Sequence, residues 1–354
     1  MRAPWLLAAR YARGGRSAEL SSDTIRAGSS VRIRRAALWL MAVIVLAVLP
    51  SIVPSGYGRT LLVFVSLYAM ASLGLQLLMG YAGQVSLGQG AFWGLGAYGY
   101  AILCVKEGVP PWLALAAAAL ASTAVAYAIG APILRLRGHQ LALATLAFAT
   151  ILATLFNQVT PLTGGAIGLP GIPSLAVGGF TFNTDLRFAY LAEAFVLAAM
   201  VASHNVMRSR IGRALRALSS NEQPAASLGV DVASHKLHVF AGSAALASLA
   251  GSLYAAYLTY VSPDAFGVFL SVQILLMAAV GGLATVWGAP VGAAAVVLLS
   301  QLFDTLSHGL PSGTETILES VVFGLVLAAI MITMPQGLVR GVLVRWRVRQ
   351  IRTA

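Results

Sequence analysis

Apolar stretches long enough to cross a bilayer recur along almost the whole of this 354-residue chain. A hydrocarbon core about 30 Å thick needs roughly 20 predominantly apolar residues in a helix. Such stretches are expected at 36–53, 60–79, 87–105, 110–133, 140–159, 188–204, 237–260, 268–283, 287–303 and 316–334. A mean hydropathy of +0.84 and a charged content of only 10% exclude a soluble domain. A lipid-exposed backbone must satisfy its own hydrogen bonds, and these stretches lack the alternation of barrel strands. The expected fold is therefore all-α: a polytopic membrane helix bundle of about ten transmembrane helices, with eight as the fallback count.

Placement of charge fixes the expected orientation. Basic residues collect on the cytoplasmic side of membrane proteins. With ten spans and both termini cytoplasmic, 20 of the 23 Lys and Arg residues fall inside; only Arg59, Lys106 and Arg187 fall outside. The net charge of +12 thus reads as an orientation signal, and no nucleic-acid partner is expected. Residues 1–35 are read as a basic cytoplasmic tail, 36–338 as the transmembrane domain and 339–354 as a second basic tail. Cys104 is the only cysteine, so no intrachain disulfide can form.

Between the sixth and seventh spans lies a polar island, RSRIGRALRALSSNEQPAASLGVD, inside a cytoplasmic loop covering 205–236. Ile211, Leu215 and Leu218 recur at helical spacing, with Arg213 and Arg216 directed elsewhere. Pro224 suits the first turn of a second short helix and Gly229 its left-handed C-terminal cap. A loop that only orients a protein needs Lys and Arg alone. The added turn, small residues and Glu222 suggest a docking surface.

The third span opens with GYAGQVSLGQGAF at 80–92. Gly94 to Gly99 fits GxGxxG, but it sits inside an apolar span with no strand before it, so a dinucleotide site is excluded. Gly90 and Gly94 fit the generic GxxxG device for close helix packing. Gln84, Ser86 and Gln89 are neutral polar groups beside a Gly-rich helix start, a combination that marks substrate paths in transporters.

Other polar residues carry less. Glu193 and Glu319 are expected within a turn or two of a span's outer end, where a carboxylate reaches the interface. His235 and His238 stand three apart without a carboxylate or Cys to complete a metal site. Neither Lys106 nor Lys236 stands in the Gly-Lys-Ser/Thr context of a P-loop, so ATP-driven work would have to come from a partner.

Four stretches in order resemble one permease subunit of branched-chain amino acid ABC importers: 80–92, then LRLRGHQLALATLAFATIL at 134–152 with LTGGAIGLPGIP at 162–173, then 211–240, and AAVGGLATVWGAPVGAA at 278–294. The chain departs from the pattern at His139-Gln140, where relatives commonly have an acidic residue and a Tyr after the Gly, and at Ser219-Ser220, which is usually more charged. The resemblance implies a non-enzymatic subunit of a bacterial inner membrane importer. It implies a second homologous permease, two cytoplasmic ATPases that hold the ATP, and a periplasmic binding protein. On this chain it implies no cofactor or metal. Arg213, Arg216, Glu222 and Gly229 would belong to the ATPase-coupling loop and Gln84, Ser86 and Gln89 to the translocation path. Uptake of urea or short amides by the same architecture, and an ion-gradient-driven secondary transporter, stay open as alternatives.

Overall fold

The structure is a computed structural model that describes residues 48–53, 56–136, 138–220, 222–283 and 285–307, with the single positions 324, 337 and 338. The span expected at 316–334, most of that at 36–53, Glu319 and both tails lie outside the described residues. Residues 48–52 are helical and belong to a unit ending at Ile52; a second unit begins at Val53.

Within the second unit, all eight remaining expected spans coincide with helices: α1 (Tyr57–Ala82), α2 (Gln89–Val105), α3 (Pro111–Ile133), α4 (His139–Gln158), α6 (Asp185–Arg208), α9 (Val232–Leu258), α10 (Val268–Gly281) and α11 (Gly288–Ser307). The short helix α5 (Thr160–Thr163) follows α4, and α7 (Arg210–Ser220) and α8 (Glu222–Ser227) make up the polar island. By length and composition, α1, α3, α4, α6 and α9 are able to cross a membrane. The chain is thus a multi-pass helix bundle. Two expected spans prove short: α2 has 17 residues and α10 only 14.

Helix α9 is the hub, packed against α1, α2 and α3. Its alanines and serines let neighbouring backbones come close, because lipid tails offer no hydrophobic drive and packing must supply the attraction. A methyl on Gly96 of α2 would overlap the Ser248 backbone, and one on Gly251 of α9 would overlap the Trp93 carbonyl. Gly74 of α1 leaves only 2.9 Å between such a methyl and the Ser243 carbonyl. Ser252 Oγ donates to the Gly96 carbonyl at 3.0 Å and Ser248 Oγ to that of Ala118 at 3.3 Å, so hydroxyls are shared across the tightest contacts.

The Gly- and Pro-rich loop after α4 is folded rather than loose. Strand β1 (Leu169–Pro170) pairs antiparallel with β4 (Tyr260–Val261), and β2 (Ala176–Val177) pairs with β3 (Phe180–Thr181). The β2–β3 turn is Gly178-Gly179, both at positive φ, as a tight hairpin demands. Tyr100 Oη donates to the Pro173 carbonyl at 2.9 Å and Trp112 Nε1 to that of Ala176 at 2.7 Å, tying the loop to α2 and α3.

Candidate functional site

Helix α1 ends where Gly83 turns left-handed at φ 65°. The N–H groups of Gly83 and Gln84 both point back to the Leu78 carbonyl. Six non-helical residues, 83–88, then lead to α2. This segment climbs back into the bundle. Gln89 at the start of α2 donates from Nε2 to Ser243 Oγ at 2.6 Å, and Ser243 packs on Gly74, eight residues before the end of α1. At 1.5 Å per residue α2 therefore begins about 12 Å above the end of α1. That re-entry is why α2 is short.

Bare backbone at this depth needs partners, since an unsatisfied group in hydrocarbon costs several kcal/mol. Hydroxyls supply them, two from other helices and one from within the break. Leu87 N–H donates to Thr145 Oγ1 of α4 at 2.9 Å, Gly88 N–H to Ser86 Oγ at 3.2 Å and Gly90 N–H to Ser271 Oγ of α10 at 2.9 Å. Ser271 lies in the first turn of α10, so α2 and α10 both start at the level of the break and run away from it in opposite directions. At the far end of α10, Gln76 Nε2 of α1 donates to the Ala278 carbonyl at 3.3 Å, and Gly282 at φ 107° stops the helix.

All three polar residues singled out in the sequence sit in this region. Gln84, Ser86 and Gln89 are buried, each at most 4% exposed. The Oε1 atoms of Gln84 and Gln89 have no hydrogen-bond partner. Thr145 and Ser271 are the members that sequence reading missed. They lie 58 and 181 residues from the groups they serve, inside apolar runs, with no local signal.

Glu193 differs from expectation. Its carboxyl does not reach an interface: it is 3% exposed, on the face of α6 that buries Ala189, Ala192 and Val196, and its Oε2 has no hydrogen-bond partner. Burial follows from its position on the stripe that packs against α1.

On the polar island the two short helices form as expected. Leu215 and Leu218 of α7 are buried against α1, α6 and α9, together with Ala225 of α8. Ile211, read as part of that face, is 43% exposed; Met207, at the end of α6, is buried instead. Arg216 Nη1 donates to the Met207 carbonyl at 3.0 Å, fastening α7 across its junction with α6, while Arg213 is exposed. Gly212 permits that junction, because a methyl there would overlap the Met207 backbone. Gly229 takes φ 83°, and Val230 N–H closes on the Ala225 carbonyl at 3.2 Å. Asp231 then caps α9 by accepting from Ser234 N–H at 3.0 Å. Glu222 begins α8. His235 and His238 bond through Nδ1 to the carbonyls of Asp231 and Ser234.

A multi-pass bundle with a broken helix threaded into its interior, joined to a basic helix pair packed on its end, has the architecture of a membrane transport permease. The family model described as branched-chain amino acid transport system / permease component matches residues 59–332, and the chain belongs to that family. The LivM high-affinity branched-chain amino acid transport system permease proteins of Salmonella typhimurium and Escherichia coli are each 30% identical over 88% of this chain and 76% of their own length. The LivH permease protein of Salmonella typhimurium is 25% identical over 77% of this chain and 91% of its own. No solved structure matches. The chain is a transport subunit, and two kinds of permease are among its relatives.

Proposed function

We propose that the protein is the membrane-spanning permease subunit of an ATP-binding-cassette importer, translocating branched-chain amino acids handed over by a periplasmic binding protein in a bacterial inner membrane. The observation that carries this reading is the family match over 59–332, which encloses both the re-entrant break and the polar island. In this reading ten spans cross the bilayer, both termini are cytoplasmic, and a second homologous permease completes the channel. Two cytoplasmic ATPases bind the ATP, and this chain carries no cofactor, metal or catalytic residue.

Gln84, Ser86 and Gln89 belong beside the translocation path. In the break they occupy, backbone and amide groups meet without a continuous helix, so a small displacement of α2 or α10 would expose hydrogen-bonding atoms to a polar solute. Arg213, Arg216, Glu222 and Gly229 belong to the surface that seats on an ATPase. Arg216, bonded to the Met207 carbonyl, ties that surface to α6, so closure of the ATPases would move α6 and α7 as one body. The absence of charged side chains from the break suits a passage that leaves selectivity to the binding protein.

Gentle purification of the tagged protein from native membranes, with mass spectrometry of the co-purifying chains, tests the assembly. The expected result is a homologous permease together with ATPases carrying a P-loop. Recovery of this chain alone, moving solute in vesicles without ATP, would replace the importer with a gradient-driven carrier, for which Glu193 is the one buried carboxyl among the described residues. In the intact importer, joint replacement Arg216→Ala and Glu222→Ala should leave assembly in place while uptake per ATP hydrolysed falls at least roughly tenfold.

A further inference from the structure

Helices α3 and α4 are both of membrane length and both lie largely outside the core. What they expose differs. Between its end turns α3 exposes only Ala, Leu and Tyr, and α6 only Ala, Val and Tyr, the composition of a lipid-facing surface. Helix α4 exposes Thr150 and Thr154 in that central zone and Asn157 in its last turn. Among the described residues, no other membrane-length helix exposes a Ser, Thr, Asn or Gln between its end turns; the exposed polar atoms of α3 and α6 there are the phenol groups of Tyr127 and Tyr190.

Ile151 and Leu155 of α4 are exposed as well, and beside them six exposed residues form a regular series. Gln140, Leu143, Ala147, Thr150, Thr154 and Asn157 are all exposed and follow one another at spacings of three and four, the seam of a left-handed helix pair. The opposite face of α4 is already used: Leu141, Thr145, Ala149, Leu152 and Phe156 are buried, and Phe148 and Phe156 meet Phe92 and Tyr98 of α2 at ring distances of 5.4 and 4.6 Å. Thr150 and Thr154 donate to the carbonyls of Leu146 and Thr150 at 3.1 and 2.9 Å, leaving hydroxyl lone pairs directed outward as acceptors. Such acceptors gain a further hydrogen bond from a neighbouring protein helix that lipid tails do not offer.

We infer that the Gln140–Asn157 face of α4 is the surface on which the second permease packs, helix against helix within the bilayer. This rests on the proposed importer assembly, and the relatives support the choice of occupant, since the chain matches both LivM and LivH permease proteins. The face carries no charge along its length, as a membrane-embedded partner requires and a soluble ATPase or binding protein does not.

A photoreactive benzoylphenylalanine replaces Ala147 on α4 or, in a control, Leu120 on α3, in the tagged protein expressed with its native operon partners. Irradiated adducts are identified by mass spectrometry. The Ala147 adduct should contain a peptide of the homologous permease and the Leu120 adduct none. The double variant Thr150→Leu, Thr154→Leu, which improves compatibility with lipid, should lower the co-purified permease roughly tenfold while the chain itself still inserts. If the permease co-purifies but Ala147 captures only lipid, or the double variant leaves its yield unchanged, the assigned face is wrong and the importer stands. If no second permease accompanies the unmodified protein, the importer reading falls and this inference with it.

Discussion

Two polar regions of this molecule, the break before α2 and the outer face of α4, are built in opposite ways. At the break, three backbone N–H groups are each answered by a hydroxyl and the Gln89 amide N–H by Ser243, so these donors are met within the chain, while the buried Oε1 atoms of Gln84 and Gln89 have no partner. On α4 the hydroxyls bond only to their own helix, and their remaining capacity points away from the protein. The first pattern holds one subunit together. The second asks for something outside it. Thr145 joins the two, because the helix that offers the open face also clamps Leu87 of the break from its buried side. Movement of α4 against a partner would therefore be felt directly at the break.

Substitutions separate the closed region from the open face, and the largest effect belongs to the closed one. Gly251→Leu drives a side chain into the Trp93 carbonyl at the α2–α9 contact, where overpacking should cost about 3 kcal/mol or more and remove most folded protein from detergent extracts. Size-exclusion chromatography of a fluorescent fusion would show the loss, and a monodisperse peak at full height would mean these helices are less tightly held than the geometry says. Gln89→Leu leaves the Ser243 hydroxyl without its amide partner at 2.6 Å. The expected destabilisation is about 1–2 kcal/mol in thermal melts, and a double-mutant cycle with Ser243→Ala should return a coupling of about 0.6 kcal/mol or more. Arg216→Ala removes the bond to the Met207 carbonyl, and hydrogen exchange in α7 should quicken several-fold, about 1 kcal/mol of local stability, with exchange in α9 unchanged. Thr150→Leu on the open face should shift the melting stability of the isolated chain by less than about 0.5 kcal/mol. A large shift there would merge the two regions into one structural class.

Much of the fold was legible because a bilayer imposes a single length and a single backbone solution on each crossing. Every expected span between 60 and 303 coincides with a helix to within a few residues. The polar island was legible for a related reason: Leu215, Leu218, Pro224 and Gly229 are local signals of helix face, start and stop, and each acts as its type dictates. Depth was not legible. Nothing in the run at 87–105 says that α2 begins about 12 Å inside the end of α1, because that follows from Gln89 meeting Ser243, which packs on Gly74, across three helices. The same limit explains Glu193, placed near an interface by counting along its span and buried in fact by the side of α6 it occupies. Thr150 and Thr154 drew no notice in the sequence, since a threonine inside an apolar helix reads identically whether it faces the core, lipid or a partner.

In the proposed importer, this chain forms a passage whose energy comes from ATP bound elsewhere. The most direct measurement is leucine uptake into vesicles reconstituted with the co-purified complex and its ligand-loaded binding protein, with and without ATP on the ATPase side. The expected result is accumulation that requires both ATP and the binding protein and that persists when ion gradients are collapsed. Uptake that ignores ATP and disappears with the gradients would contradict it.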